Sequence, residues 1–66
     1  MEDLMDGLLR EIERNKELLK NYEEIGTAGG FGSFMVRKGI NEAEEAIKEN
    51  DVIKMLTSYN TLKDNQ

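Results

Sequence analysis

The groups in this chain that could handle a ligand or a reaction are few and unevenly placed. Ser33, Arg37 and Lys38 stand within GTAGGFGSFMVRKG (Gly26 to Gly39), a stretch that also holds Thr27, both phenylalanines (Phe31 and Phe34) and five of the six glycines. From Ile25 through Asn41 there is no Asp or Glu, although the chain carries 14 of them. That segment therefore bears +2 within a protein of net charge −5. Unpaired backbone N–H groups where a glycine-rich turn enters a helix, together with the helix dipole, favour an anion. The hydroxyls of Thr27 and Ser33 can donate to the same oxygens. Arg37 suits bidentate pairing with a phosphate and Lys38 supplies a point charge. Phe31 and Phe34 offer flat faces for stacking a base. The candidate ligand-binding set is Thr27, Gly29, Gly30, Phe31, Gly32, Ser33, Phe34, Arg37 and Lys38.

The spacing matches no phosphate-binding signature. A P-loop needs Lys followed by Ser or Thr directly after its last glycine, and a dinucleotide-binding turn needs a preceding strand. A purely structural reading competes: glycine is the default residue where a chain reverses or another segment approaches closely. On that reading Gly26, Gly29 or Gly30, Gly32 and Gly39 are contact points and the phenylalanines are core. Both readings hold together if a pocket forms between subunits.

Catalysis is not expected. The chain has no His and no Cys, which removes the usual groups poised near neutral pH, the thiol nucleophile and the commonest transition-metal ligands. Neighbouring carboxylates such as Glu23 and Glu24, or Glu44 and Glu45, point to different sides of a helix and read as solvated faces. Ser33, Thr57, Ser58 and Thr61 have no general base in view. Neither a metal nor a cofactor is expected.

The elements that would position these groups are helical. There is no proline, and Glu, Lys, Leu and Ala dominate the outer segments. The expected fold is all-α: a long first helix over about 2–24, a glycine-rich joint over 25–32, and an antiparallel pair over 32–50 and 51–63. The first helix places Leu4, Met5, Leu8, Leu9, Ile12, Leu18, Leu19 and Tyr22 on one face, with Arg10, Glu13, Glu17 and Lys20 opposite. As a heptad, Met5, Leu8, Ile12, Asn15, Leu19 and Tyr22 alternate between a and d, with Asn15 the single polar member. Such a residue can fix register and oligomeric state, or it sits partly solvated at the edge of a three-helix core. The second helix is expected to bury Phe31, Met35 or Phe34, Val36, Ile40, Ala43, Ala46 and Ile47, with Gly39 admitting a neighbouring backbone. Asn50 or Asp51 caps the third helix, whose apolar stripe is Val52, Met55, Leu56, Tyr59 and Leu62.

Sixty-six residues make one small domain, whose single core supplies only a few kcal/mol. With disulfides and zinc excluded, self-association is the remaining staple, so a small homo-oligomeric helical bundle is expected, joined through the Met5-to-Tyr22 seam. The acidic balance disfavours duplex nucleic acid and an anionic membrane surface. No apolar run approaches the roughly 20 residues of a membrane span. The acidic start MEDLMDGLL is unlike a signal peptide, which leaves the cytoplasm as the expected compartment.

Glu42 to Leu62 (EAEEAIKENDVIKMLTSYNTL) superficially resembles a tetratricopeptide helix pair, but a single copy cannot build a solenoid. In size, helicity and its glycine/aromatic/basic joint, the chain resembles the very short helical proteins that bacteriophages encode against host immunity. Among these are the sponges that sequester cyclic nucleotide signals of the CBASS and Thoeris type. That resemblance implies a non-enzymatic homo-oligomer holding a cyclic or other anionic nucleotide between subunits, in the host cytoplasm if phage-encoded. The alternative is an acidic protein–protein interaction module that inhibits or adapts a host protein. Its surface would be the acidic face of the first helix, or an apolar patch around Met35, Met55 and Tyr59, since methionine surfaces adapt readily to partners.

Overall fold

The computed structural model describes residues 2–26 and 30–65. Those residues form three α-helices, α1 (Leu4–Ile25), α2 (Gly30–Glu49) and α3 (Val52–Lys63), each packed against both of the others. The described residues contain no strand.

Local chemistry sets the helix ends. The Asp3 carboxylate caps α1 by accepting from the Asp6 amide at 2.9 Å. Asp51 does the same for α3, accepting from the Lys54 amide at 3.0 Å. Between α2 and α3 the chain reverses in two residues. Asn50 adopts φ 55, its N–H donates to the Ile47 carbonyl, and the Asp51 N–H donates to that of Ala46, both at 3.0 Å. This is a Schellman closure with asparagine in the left-handed position that glycine usually takes. At the end of α1, Gly26 takes φ 85, a conformation that side-chain-bearing residues avoid.

The core is Leu8 and Ile12 from α1, Val36, Ile40, Ala43 and Ala46 from α2, and Met55 and Leu62 from α3. Each large member contributes roughly 1.5–3 kcal/mol of burial. Met5, Leu18, Leu19, Tyr22, Ile47 and Tyr59 pack around it. Small residues allow the close packing: a Cβ on Gly39 would lie 3.1 Å from the Leu62 Cδ2, and one on Gly7 would lie 3.1 Å from the Tyr59 ring. The neighbour at Gly39 is thus a leucine side chain and not the backbone that the sequence suggested.

Three expectations about the core are corrected. Asn15, read as an edge or interface position, is wholly buried inside its own chain. Phe31, Phe34 and Met35, placed in the core by their spacing, are exposed, Phe31 by 79%. The reason is length. Helix α2 has 20 residues and α3 only 12. Because Leu62 already sits against Gly39, α3 ends there and does not reach the first turns of α2. On α3, Met55 and Leu62 are buried, whereas Val52 and Leu56 face outward.

Candidate functional site

The acid-free opening of α2 contains most of the ligand-binding residues expected from the sequence; Thr27 and Gly29 lie outside the described residues. Gly30 starts the helix in the open, and nothing stands within 4 Å of where its Cβ would be. Gly32 is half-buried under Tyr22, whose ring would lie 3.4 Å from an added Cβ. Ser33 is also half-buried. Phe31, Phe34 and Met35 succeed each other at helical spacing and are exposed together, with Ile25 from the end of α1 exposed as well.

The two cations of this segment differ. Arg37 donates from Nη2 to the Glu23 Oε2 at 2.8 Å, tying α2 to the last turns of α1. Both side chains are more than half exposed, so the pair contributes at most about 1 kcal/mol. Lys38 is exposed and makes no ion pair among the described residues. Among the described residues the segment thus holds one ammonium without an ion pair and a guanidinium already engaged by a carboxylate.

Further along the same side of the molecule lies a groove of about 360 Å³ between α2 and α3. The buried Ala46 gives it an apolar floor, the exposed Ile53 an apolar edge, Glu42 and Glu45 an acidic rim, and Thr57 and Ser58 a polar wall. Ile53 is 78% exposed. At the hairpin end, Lys54 Nζ donates to the Glu49 Oε1 at 2.9 Å. That hydrogen bond holds the Glu49 carboxyl below the usual carboxylate range and raises the Lys54 ammonium. The sequence reading did not identify this groove, because it depends on how α3 lies against α2. Its only trace in the sequence is an isoleucine beside an alanine-lined, glutamate-rich helix.

The seam of α1 is occupied within the chain. Leu8, Ile12 and Asn15 are buried against α2 and α3, and Met5, Leu19 and Tyr22 are half-buried around the same core. Asn15 Nδ2 donates to the Glu11 carbonyl at 2.8 Å and to the Leu62 carbonyl at 3.1 Å, and its Oδ1 accepts from the Asn65 side chain at 2.9 Å. Arg14 adds a donation to the Leu62 carbonyl at 2.7 Å and one to the Glu11 carboxylate at 2.9 Å. Met55, suggested as part of an exposed methionine patch, is buried. Among the described residues no buried side-chain N or O lacks a partner, and no cluster of acidic residues could hold a metal. Among the described residues no helix is long and apolar enough to cross a membrane.

Comparison with protein-family models, with curated proteins and with solved structures finds no match for this chain.

Proposed function

We propose that this chain is a non-enzymatic protein–protein interaction module that docks through the uncovered first turns of α2. One observation carries the reading: α3 stops opposite Gly39, leaving Phe31, Phe34 and Met35 exposed on one stripe of an acid-free half-helix. Burying three such side chains is worth several kcal/mol when a partner covers them, and aromatic and methionine anchors are typical of such contacts. The charge elsewhere fits the same role. The acidic remainder of the surface repels nucleic acid, whereas the first half of α2 carries no carboxylate of its own and the nearby Glu23 is paired with Arg37.

A second reading, sequestration of a phosphate-bearing nucleotide by a homo-oligomer, draws on the same segment. The Lys38 ammonium, without an ion pair among the described residues, and the open faces of Phe31 and Phe34 favour it. The engagement of Arg37 by Glu23 weighs against it, because the strongest phosphate donor must first be released.

Chemical cross-linking from Lys38 in the host cell, followed by mass spectrometry, tests the docking reading. A stoichiometric protein cross-link that disappears in the Phe31→Ser variant is the expected result. A cross-link pattern unchanged by Phe31→Ser would overturn the assignment of this face. Nucleotide released from purified, heat-denatured protein would decide for the second reading.

A further inference from the structure

The exposed side of α2 carries an ordered charge pattern. Phe31, Met35, Lys38, Glu42, Glu45 and Glu49 follow at steps of four, three, four, three and four, and all six are exposed. They therefore form one stripe, apolar at its start, basic in the middle and acidic toward its end. Lys38 and Glu42 both lack an ion pair among the described residues.

Reversed end to end, this stripe sets its own lysine against its own glutamate. With two copies antiparallel about a two-fold axis at the level of Ile40, Lys38 of each chain faces Glu42 of the other. Met35 then comes level with Glu45, and Phe31 with Glu49. The same register brings Phe31 and Met35 beside Ala46 and Ile53 of the second copy, the apolar lining of the α2/α3 groove. Lengths agree as well. In this arrangement α3 of the second copy, running beside the C-terminal half of its own α2, lies along the uncovered N-terminal half of the first. It fills the place that the short α3 of the first chain leaves open. An apolar cavity of roughly 150 Å³ accommodates a benzene ring, so a groove of about 360 Å³ has room for Phe31 and Met35 together.

We infer that the partner of this face is a second copy of the chain: a two-fold antiparallel dimer in which Phe31 and Met35 of each subunit enter the α2/α3 groove of the other and Lys38 pairs with Glu42 across the axis. This inference rests on the reading of the α2 opening as a protein-docking face. The contact is isologous and closes at two subunits, so it does not propagate into fibres. The two Lys38–Glu42 pairs across the axis partly offset the repulsion between two molecules of net charge −5.

Sedimentation equilibrium of the full chain tests it. The expected mass for the native sequence is twice 7.6 kDa. Lys38→Glu places like charges across the axis and should weaken the dimer by about tenfold or more, with helicity unchanged by circular dichroism. Lys38→Glu combined with Glu42→Lys restores the opposite charges and should recover the dimer. Phe31→Ser should yield a folded monomer. A native chain that stays at 7.6 kDa up to about 1 mM, a concentration at which even very weak association registers, overturns the inference. So does a dimer indifferent to both Lys38→Glu and Phe31→Ser. Binding of a hydrophobic dye separates this failure from failure of the docking face. A monomer that binds the dye, and loses it in Phe31→Ser, overturns the dimer and leaves the docking reading standing. A monomer without that response overturns both.

Discussion

The side-chain amide of Asn15, in the middle of α1, donates to the Leu62 carbonyl at 3.1 Å, joining positions 47 residues apart. The last carbonyls of a helix have no partner within it, and here the end of α3 is closed from outside. Arg14 reaches the same oxygen at 2.7 Å and places a cation where the dipole of α3 is negative. The Asn65 side chain completes the arrangement by donating back to Asn15. Asn15 thus locates the C-terminus of the shortest helix on the middle of the longest, a task no apolar residue could perform.

Asn15 and Arg14 share one acceptor, so their substitutions should not add. In Asn15→Ala the Leu62 carbonyl keeps Arg14, and the loss should be about 1–3 kcal/mol from the broken buried bonds. Arg14→Ala should cost less, since Asn15 remains. The double variant leaves the Leu62 carbonyl only the Asn65 backbone N–H at 3.1 Å and should lose more than the sum, by about 0.5 kcal/mol or more. Urea midpoints of the four proteins measure this cycle; strict additivity would show that the two donors act independently.

Much of this fold is legible in the sequence, and the illegible parts have a common cause. The three-and-four spacing of Leu8, Ile12, Ile40 and Ala43 identifies helices and their inner faces because burial repeats with the helical period. Asp51 is recognisable as a cap because its carboxylate serves amides three residues away. Phe31 and Met35 have the same periodic spacing, yet their exposure depends on where α3 ends, which is a relation between two helices. The partner of Asn15 is hidden for the same reason: Leu62 contributes its carbonyl oxygen, and a backbone atom leaves no mark in the residue type. Arg14 and the buried Glu11 carry no sequence mark of their role, which exists only once the end of α3 is set beside them. The groove lined by Ala46 and Ile53 likewise exists only once α2 and α3 are paired.

Gly39 weighs helix propensity against packing. Alanine there would gain about 1 kcal/mol as a better helix former. Its Cβ, however, would come within 3.1 Å of the Leu62 Cδ2, and Leu62 is fully buried and has little room to withdraw. Overpacking a filled core costs about 1–3 kcal/mol, so Gly39→Ala should be destabilising by on the order of 1 kcal/mol. Combining it with Leu62→Val removes the interfering methyl, and the pair should be less unstable than the two separate losses predict. A more stable Gly39→Ala single variant would mean that Leu62 moves freely.

Asn50 holds the α2–α3 hairpin in a left-handed conformation at φ 55. Asparagine tolerates that region and glycine occupies it without steric cost, while a β-branched side chain is strained there. Asn50→Gly should therefore be neutral or slightly stabilising, and Asn50→Val should lose about 1–2 kcal/mol. For a domain of this size 1 kcal/mol moves the melting temperature by roughly 4–8 °C, so calorimetry separates the two. Equal melting temperatures would show that the hairpin does not depend on this conformation.

The contact between Arg37 and Glu23 separates the two functional readings. If the α2 opening holds phosphate, Arg37 must leave the Glu23 carboxylate 2.8 Å away. Glu23→Gln removes the competing charge and should then strengthen nucleotide binding. If the face docks protein through Phe31, Phe34 and Met35, the ion pair merely ties α1 to α2. Glu23→Gln should then change stability by no more than about 1 kcal/mol, the usual ceiling for an exposed pair. A ligand present at 100 times its dissociation constant stabilises a protein by about 2.7 kcal/mol, which a melting experiment resolves easily. For a panel of cyclic dinucleotides and ADP-ribose derivatives, the docking reading predicts no shift in either the native chain or Glu23→Gln. A shift that grows in Glu23→Gln and vanishes in Arg37→Ala would transfer the function of this face from protein docking to nucleotide capture.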